Sequence, residues 1–435
     1  MTAAAPPKNG PTVLVEHSTD LPLVSISVAL RLGALADPPG AEGATRLLAR
    51  LMKRSAGGRS AEAIDAEIDA LGSALSVDVS ASTIVFHGTV IARSLPRFAE
   101  LLLDVVARPG LDAGELALLK RETEAELVEA LDDDRTLARR WFRRSLFAGH
   151  PYGRPVAGTA QTLPAITQET LRALYRQLFV RENLSFAFAG HVREAEARAI
   201  AERIAAALPS GPAAVDQTPE PAAPRGRRLV IVDKPDRTQS QIIIGGLGSH
   251  PRDPDHFPLI VANTAFGGTF TARLMQEVRS KRGWSYGAYS SLPYDRRRQA
   301  FSMWTFPKAA DAAECIKLEL DLLARWREDG ISEEELAWCK GYLVRSHAFA
   351  VDTASKRVGL MLDAALYELP PGYHERYLDS IKAVTLEAAN RAVRARIPES
   401  ELVVTVVGTE PVIGDAVRTA IPNLAEHEVV PYDRD

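Results

Sequence analysis

Apolar residues alternate over short stretches and recur at helical spacing over longer ones, and the two kinds of stretch return in a repeated order along the chain. The first half opens with predicted strands at 12–16 and 23–32, followed by GALADPPGAEGATRLLARLM, which turns into a helix. The second opens with strands at 228–233 and 240–247 (SQIIIGGL), followed by GSHPRDPDHFPLIVANTAFGG, which also turns into a helix. Paired strands come next, at 74–79 and 83–90 in one half and at 284–293 and 299–306 in the other. Long helices then lead to closing strands at 184–189 (LSFAFA) and 402–407 (LVVTVV). Such self-similarity reads as a duplication. Alternating strands beside separate helix runs predict an α+β fold of two homologous α/β sandwich domains, each a mainly antiparallel sheet covered by helices.

Local signals sharpen several boundaries. Ser60 is placed to cap a helix that Gly72 closes, and Ser332 precedes three glutamates suited to the positive end of a helix. The charged stretch 115–144 reads as a solvated helix pair laced with ion pairs. Only 208–226, LPSGPAAVDQTPEPAAPRG, breaks the periodicity. Its five prolines and near absence of large apolar residues are linker composition. The expected domains are therefore 1–207 and 227–435, joined by that linker.

Composition narrows the functional classes. A hydrophobic fraction of 46% and a charged fraction of 25% suit an ordinary globular chain, and a net charge of −4 offers no basic field for nucleic acid. Two cysteines, Cys315 and Cys339, cannot form a disulfide framework and read as free core thiols. No run is long enough to span a membrane, and residues 1–10 carry no apolar leader segment. The expected compartment is the cytoplasm, or the periplasm if a leader has been removed.

The segment 43–52, GATRLLARLM, sits where the first long helix follows the strand at 23–32. Here the chain resembles the pitrilysin/insulinase zinc metallopeptidases, whose matching helix carries H-x-x-E-H. Histidines at i and i+4 grip one zinc ion while the glutamate acts on the zinc-bound water. The resemblance puts Arg46, Ala49 and Arg50 at those positions: two permanent cations and a methyl group. None of the nine histidines forms an i, i+4 pair elsewhere. The family draws its third ligand from a later acidic helix, which here holds Glu122, Glu126 and Glu129. Without the histidines these read as solvated charges. No metal or cofactor is expected in this chain. FAGHPYGRP at 147–155, with Gly158 beyond it, also resembles a family loop, and His150 reads as a turn residue.

The second half keeps its signature. Phe266–Tyr286, FGGTFTARLMQEVRSKRGWSY, resembles the family's glycine pair, small-Arg-Leu step, helix and R-G-x-x-Y. In the family this segment presents an arginine and a tyrosine seven apart, which here are Arg279 and Tyr286. By residue type alone they read as a helix-end charge and a strand ring, and the whole segment tips the reading to substrate binding. Gly267 and Gly268 suit a tight loop or a close backbone approach. The RRR run at 296–298 reads as a hairpin tip or interaction edge.

Taken together, the resemblance implies the non-catalytic subunit of a heterodimeric zinc metallopeptidase. A homologous partner bearing H-x-x-E-H would hold the zinc, while Arg279 and Tyr286 bind peptide and stabilise the transition state. Bound peptide is expected to add as a strand to an exposed sheet edge. The alternative implied by the same family is a catalytically silent structural or scaffold subunit.

Overall fold

In residues 11–435, which the computed structural model describes, the alternating stretches become strands close to their predicted bounds, except that 284–293 shortens to Ala288–Ser291 and leaves Tyr286 outside the strand. The segment 1–10, on which the missing leader was read, lies outside the described residues. The first half runs β1 (Thr12–His17), β2 (Leu23–Arg31), α1 (Ala44–Met52), a short ribbon of β3 (Ser55–Ala56) and β4 (Arg59–Ser60), α2 (Ala61–Ala70), β5 (Ala74–Val79) and β6 (Thr83–Ile91). It continues with α3 (Leu95–Ala107), α4 (Ala113–Glu129), α5 (Asp134–Leu146), α6 (Gln168–Leu178), β7 (Leu184–Gly190) and α7 (Glu194–Ala206). The second half runs β8 (Arg227–Asp233), β9 (Gln241–Leu247), α8 (His256–Phe266), β10 (Ala288–Ser291), β11 (Ala300–Thr305), α9 (Ala312–Asp329) and α10 (Glu333–Ser346). Then come α11 (Ala354–Leu366), α12 (Tyr377–Ala383), α13 (Leu386–Arg396), β12 (Val403–Gly408), α14 (Glu410–Ala420) and β13 (Leu424–Pro431).

The strands assemble into two main sheets, in the orders β1-β7-β2-β6-β5 and β10-β11-β9-β12-β8-β13. Only β1/β7, β12/β8 and β8/β13 pair in parallel, so the α+β, mainly antiparallel architecture read from the sequence is the one observed. The period-2 pattern explains the layering. Val24, Ile26, Val28 and Leu30 of β2 turn to one face and join a core with α1 and α3, through Leu48, Phe98 and Leu102. In the second sheet Ile242, Ile244, Phe301 and Val404 do the same against α8 and α9, around the stacked rings of Phe266 and Trp326.

The compact units are not contiguous halves. One comprises residues up to Leu127, Arg154–Thr218 and Ala348–Glu375; the other comprises Val128–Gly153, Pro219–His347 and Arg376–Asp435. The exchange places α11 on the first sheet, where Val358, Leu362 and Leu366 cover Leu14, Ala29, Val85, Ala187 and Ala189. In return α5 packs on β12, β9 and β8. The division read at 208–226 follows chain order, whereas each sheet takes one covering helix from the other half.

Other expectations need adjusting. The stretch 115–144 is not a solvated pair, because α5 buries Leu137, Ala138, Trp141 and Phe142. The caps are as read: Ser60 accepts from the Ala63 amide, Gly72 has φ +59°, and Ser332 forms a capping box with Glu335. Cys315 and Cys339 are free and buried on α9 and α10. Strand β13 carried no apolar alternation to predict it, since most of its residues are exposed. Among the described residues no helix is long and apolar enough to cross a membrane.

Candidate functional site

Helix α1 begins at a locked corner. Gly43 takes φ +97°, and an added Cβ would lie 2.9 Å from the Ala157 carbonyl oxygen and from Gly158. Only glycine fits there. The buried Asp37 carboxylate accepts from the amides of Gly43 (2.8 Å) and Thr45 (2.7 Å) and from the Thr45 hydroxyl, which satisfies free N–H groups of the first turn. Burial, opposed by those hydrogen bonds, lifts the Asp37 carboxyl to about 6. The corner fixes how α1 enters the fold, and hence where its side chains point.

Arg46 and Arg50, one turn apart, both reach Glu126 on α4. Arg46 donates to Oε2 at 2.8 Å, and Arg50 forks both carboxylate oxygens at 2.7 and 3.0 Å. Arg50 also donates to the Thr123 hydroxyl at 3.2 Å, and Arg54 donates to Glu122 at 2.5 Å. Partial burial pushes the Glu126 carboxyl up, but the guanidinium hydrogen bonds outweigh it and hold the group below the usual glutamate range. The reading of these glutamates as solvated charges is thus corrected for Glu122 and Glu126, which are ion-paired partners of α1. Glu129 is exposed. Ala49 is fully buried, so its methyl group packs in the core.

Arg46 and Arg50 of α1 and Glu126 of α4 thus form a cation–carboxylate–cation cluster. These side chains do not fit a divalent metal: the guanidiniums repel it and already hold the one carboxylate. Among the described residues no group of three His, Cys, Asp or Glu side chains is placed to hold a metal ion. Beside the cluster lies an open cleft of about 730 Å³, bounded by α1 and by β5, the end strand of its sheet. Lys53 also lines it, and burial draws its ammonium below the usual lysine range.

In the second unit the segment after α8 approaches β10 closely. Gly267 accepts from the Ser290 amide at 2.9 Å, and an added Cβ would come within 2.6 Å of that nitrogen. Ser290 in turn donates from its hydroxyl to Asn263 on α8 at 2.7 Å. Met275–Ser280 then winds as a π-helix, a rare form that is frequent at functional sites. Arg279 closes it and lies over the exposed Phe270 ring, 4.6 Å from its centre. It forms no ion pair among the described residues, while its neighbours Lys281 and Arg282 are both held by Glu277. Tyr286, just before β10, is 78% exposed, whereas nearby Ser285 and Ala288 are buried. A large ring and a guanidinium left uncommitted on one short segment are available to a ligand.

The remaining sequence candidates are structural. The RRR run lies in the hairpin connection between β10 and β11, as read, but there Arg296 is buried and Arg298 forks Asp253 at 2.7 and 2.9 Å. His150 donates from Nε2 to the Pro219 carbonyl and accepts the Tyr152 amide at Nδ1, which makes it a turn residue as read. Asp37 and Thr123 were not singled out. No local motif marks either, since both act through partners brought close by folding.

The chain matches the model of the insulinase family (peptidase family M16) over residues 12–160 and that of the peptidase M16 inactive domain over 165–341. An uncharacterized zinc protease of Mycobacterium tuberculosis is 29% identical over 399 residues, 88% of either chain. An uncharacterized zinc protease of Bacillus subtilis is 22% identical over 398 residues, 90% of this chain and 95% of its own. The solved structure of a peptidase M16 inactive domain from Pseudomonas fluorescens is similar with a TM-score of 0.86 at 26% identity, covering 94% of this chain and 98% of that one. A Helicobacter pylori protease is alike in fold, with a TM-score of 0.85 at 15% identity over 94% and 99% of the two chains.

Proposed function

The chain belongs to the insulinase (M16) peptidase family, and on that premise we propose that it is the non-catalytic subunit of a heterodimeric zinc metallopeptidase. The observation that carries the reading is the clamp of Arg46 and Arg50 on Glu126. On the resemblance it stands where the family's ligands would meet, with side chains that reject a cation. Zinc belongs to a homologous H-x-x-E-H partner, and there it supplies an activated water and a Lewis acid.

This chain contributes binding and electrostatics. Hydrolysis of a peptide bond builds negative charge on the carbonyl oxygen. A guanidinium and a phenolic hydroxyl aimed at that oxygen favour the transition state over the ground state. Arg279 and Tyr286 supply that pair, and the lack of competing ion pairs at Arg279 among the described residues and the exposure of Tyr286 support the role. An end strand such as β5 suits a peptide added as a further strand, held mainly through backbone bonds.

The same clamp also suits a purely structural subunit, since it ties α1 to α4 without any ligand. Pull-down of the tagged chain from its native host, with mass spectrometry of the bound proteins, separates the two. Recovery of a similar-sized protein carrying H-x-x-E-H is expected. Recovery of the chain alone, or of membrane-complex subunits, would favour the scaffold.

A further inference from the structure

On the face of the second sheet that α5 covers, an open pocket of about 360 Å³ lies between α5 and the strands β10 and β11. Its floor is formed by Tyr289, Ser291, Ser302 and Trp304, the residues that alternate with core-facing Ala288, Phe301 and Met303. Its wall is Arg135, Arg139 and Arg143, spaced four apart along one face of α5.

The three arginines differ in commitment. Arg143 donates to the Gln299 side chain at 3.3 Å and to the Tyr152 carbonyl at 3.0 Å. Arg135 lies 3.6 Å above the Trp304 ring, with its Nε buried and lacking a hydrogen-bond partner. Arg139 is exposed and has no ion pair among the described residues. Of the adjacent acids, Asp133 faces Arg135 electrostatically but forms no ion pair with it among the described residues. Asp133 caps α5, accepting from the amides of Arg135 and Thr136 and from the Thr136 hydroxyl. Asp134 is held by Lys234 at 2.7 Å and by Arg237 at 3.7 Å. Arg135 and Arg139 therefore share the pocket with Arg143, and neither forms an ion pair among the described residues.

We propose that this pocket takes a carboxylate of a bound peptide, either an Asp or Glu side chain or a free C-terminus. The proposal rests on the reading of the chain as a peptide-binding subunit and names a preference within it. A guanidinium forks a carboxylate with two charge-assisted bonds, and the Ser291 and Ser302 hydroxyls, which bond each other at 3.0 Å, leave one O–H free as a further donor. The exposed Tyr289 ring, stacked beside the Trp304 ring that Arg135 covers, provides an apolar floor for the methylenes of an acidic side chain. Tyr286 precedes Tyr289 by three residues, at most about 11 Å of extended chain. The pocket thus lies close along the chain to Tyr286, and a scan of peptide positions locates the carboxylate relative to it.

The test uses fluorescein-labelled peptides of neutral sequence carrying one Glu, or one Gln, at each position in turn. They are titrated by fluorescence anisotropy into the full-length chain, alone and with its copurified partner. Glu is expected to bind about tenfold more tightly than Gln at one or two positions, the size of one charge-assisted hydrogen bond, and less so in high salt. A matched pair with free and amidated C-termini separates the two carboxylate sources. R139Q, at an exposed position that does not endanger folding, is expected to reduce the preference; R135Q/R139Q to erase it; and R139E to turn it toward Lys. Equal binding of Glu and Gln peptides at every position, or a preference that survives R135Q/R139Q, overturns the pocket and leaves peptide binding intact. Failure of every peptide to bind, with the partner present, overturns both.

Discussion

Arg50 and Glu126 are 76 positions apart in the chain and meet through two hydrogen bonds. The identities at 46, 49 and 50 were legible in the sequence as unsuited to zinc. The partner was not, because an acid on a charged helix looks the same whether it faces water or a guanidinium. Convergence on Glu126 carries a direct consequence. R46H/R50H places two imidazoles where the guanidiniums now meet Glu126, and it is expected to bind one zinc ion per chain by equilibrium dialysis and elemental analysis. The parent chain is expected to bind none at the same site. A zinc-free double variant with an intact fold would show that the corner is no remnant of a metal site. The variant regains no base at position 49, since Ala49 is sealed in the core.

At the scale of elements, strands and caps were the readable part, because alternation and capping chemistry act over a few residues. What local pattern does not reveal is a polar group buried deep inside an apolar helix. Glu319 of α9 is fully buried, with one hydrogen bond, from the Thr305 hydroxyl to Oε2 at 3.2 Å, and with Oε1 unpartnered. Burial pushes its carboxyl from 4.5 up to about 8. A raised carboxyl favours the folded state most below its unfolded value, and that contribution fades as pH climbs through the folded one. Stability from this group is therefore expected to fall between about pH 4.5 and pH 8. E319Q is expected to flatten that slope in urea unfolding followed by circular dichroism, and an unchanged slope would relocate its source. At α1, D37A is expected to cost about 1–2 kcal/mol by the same measurement, because it frees the first-turn amides. D37N is expected to retain part of that stability.

For the whole molecule, the duplication was readable and the exchange of helices was not. An amphipathic helix announces that it will be covered, but not by which sheet. The apolar residues of α11 are spaced as they would be on either side of the chain. The observed partner has a testable cost. Residues 1–207 alone would expose the patch of Leu14, Ala29, Val85, Ala187 and Ala189 that α11 covers, and residues 227–435 would lack α5. Each half expressed alone is expected to aggregate or to show weak near-ultraviolet dichroism, while co-expression restores a soluble pair. Two independently folded halves would contradict the exchange.

As proposed, this chain assists hydrolysis carried out elsewhere, through Arg279 and Tyr286. The most direct measurement is kcat/KM of the complex reconstituted with the copurified zinc-bearing subunit, comparing R279A and Y286F with the parent while assembly is followed by gel filtration. Assembly is expected to be unchanged and turnover to fall by about a hundredfold for loss of a donor to the developing oxyanion. Unchanged turnover in both variants would contradict the claim and leave this chain a scaffold.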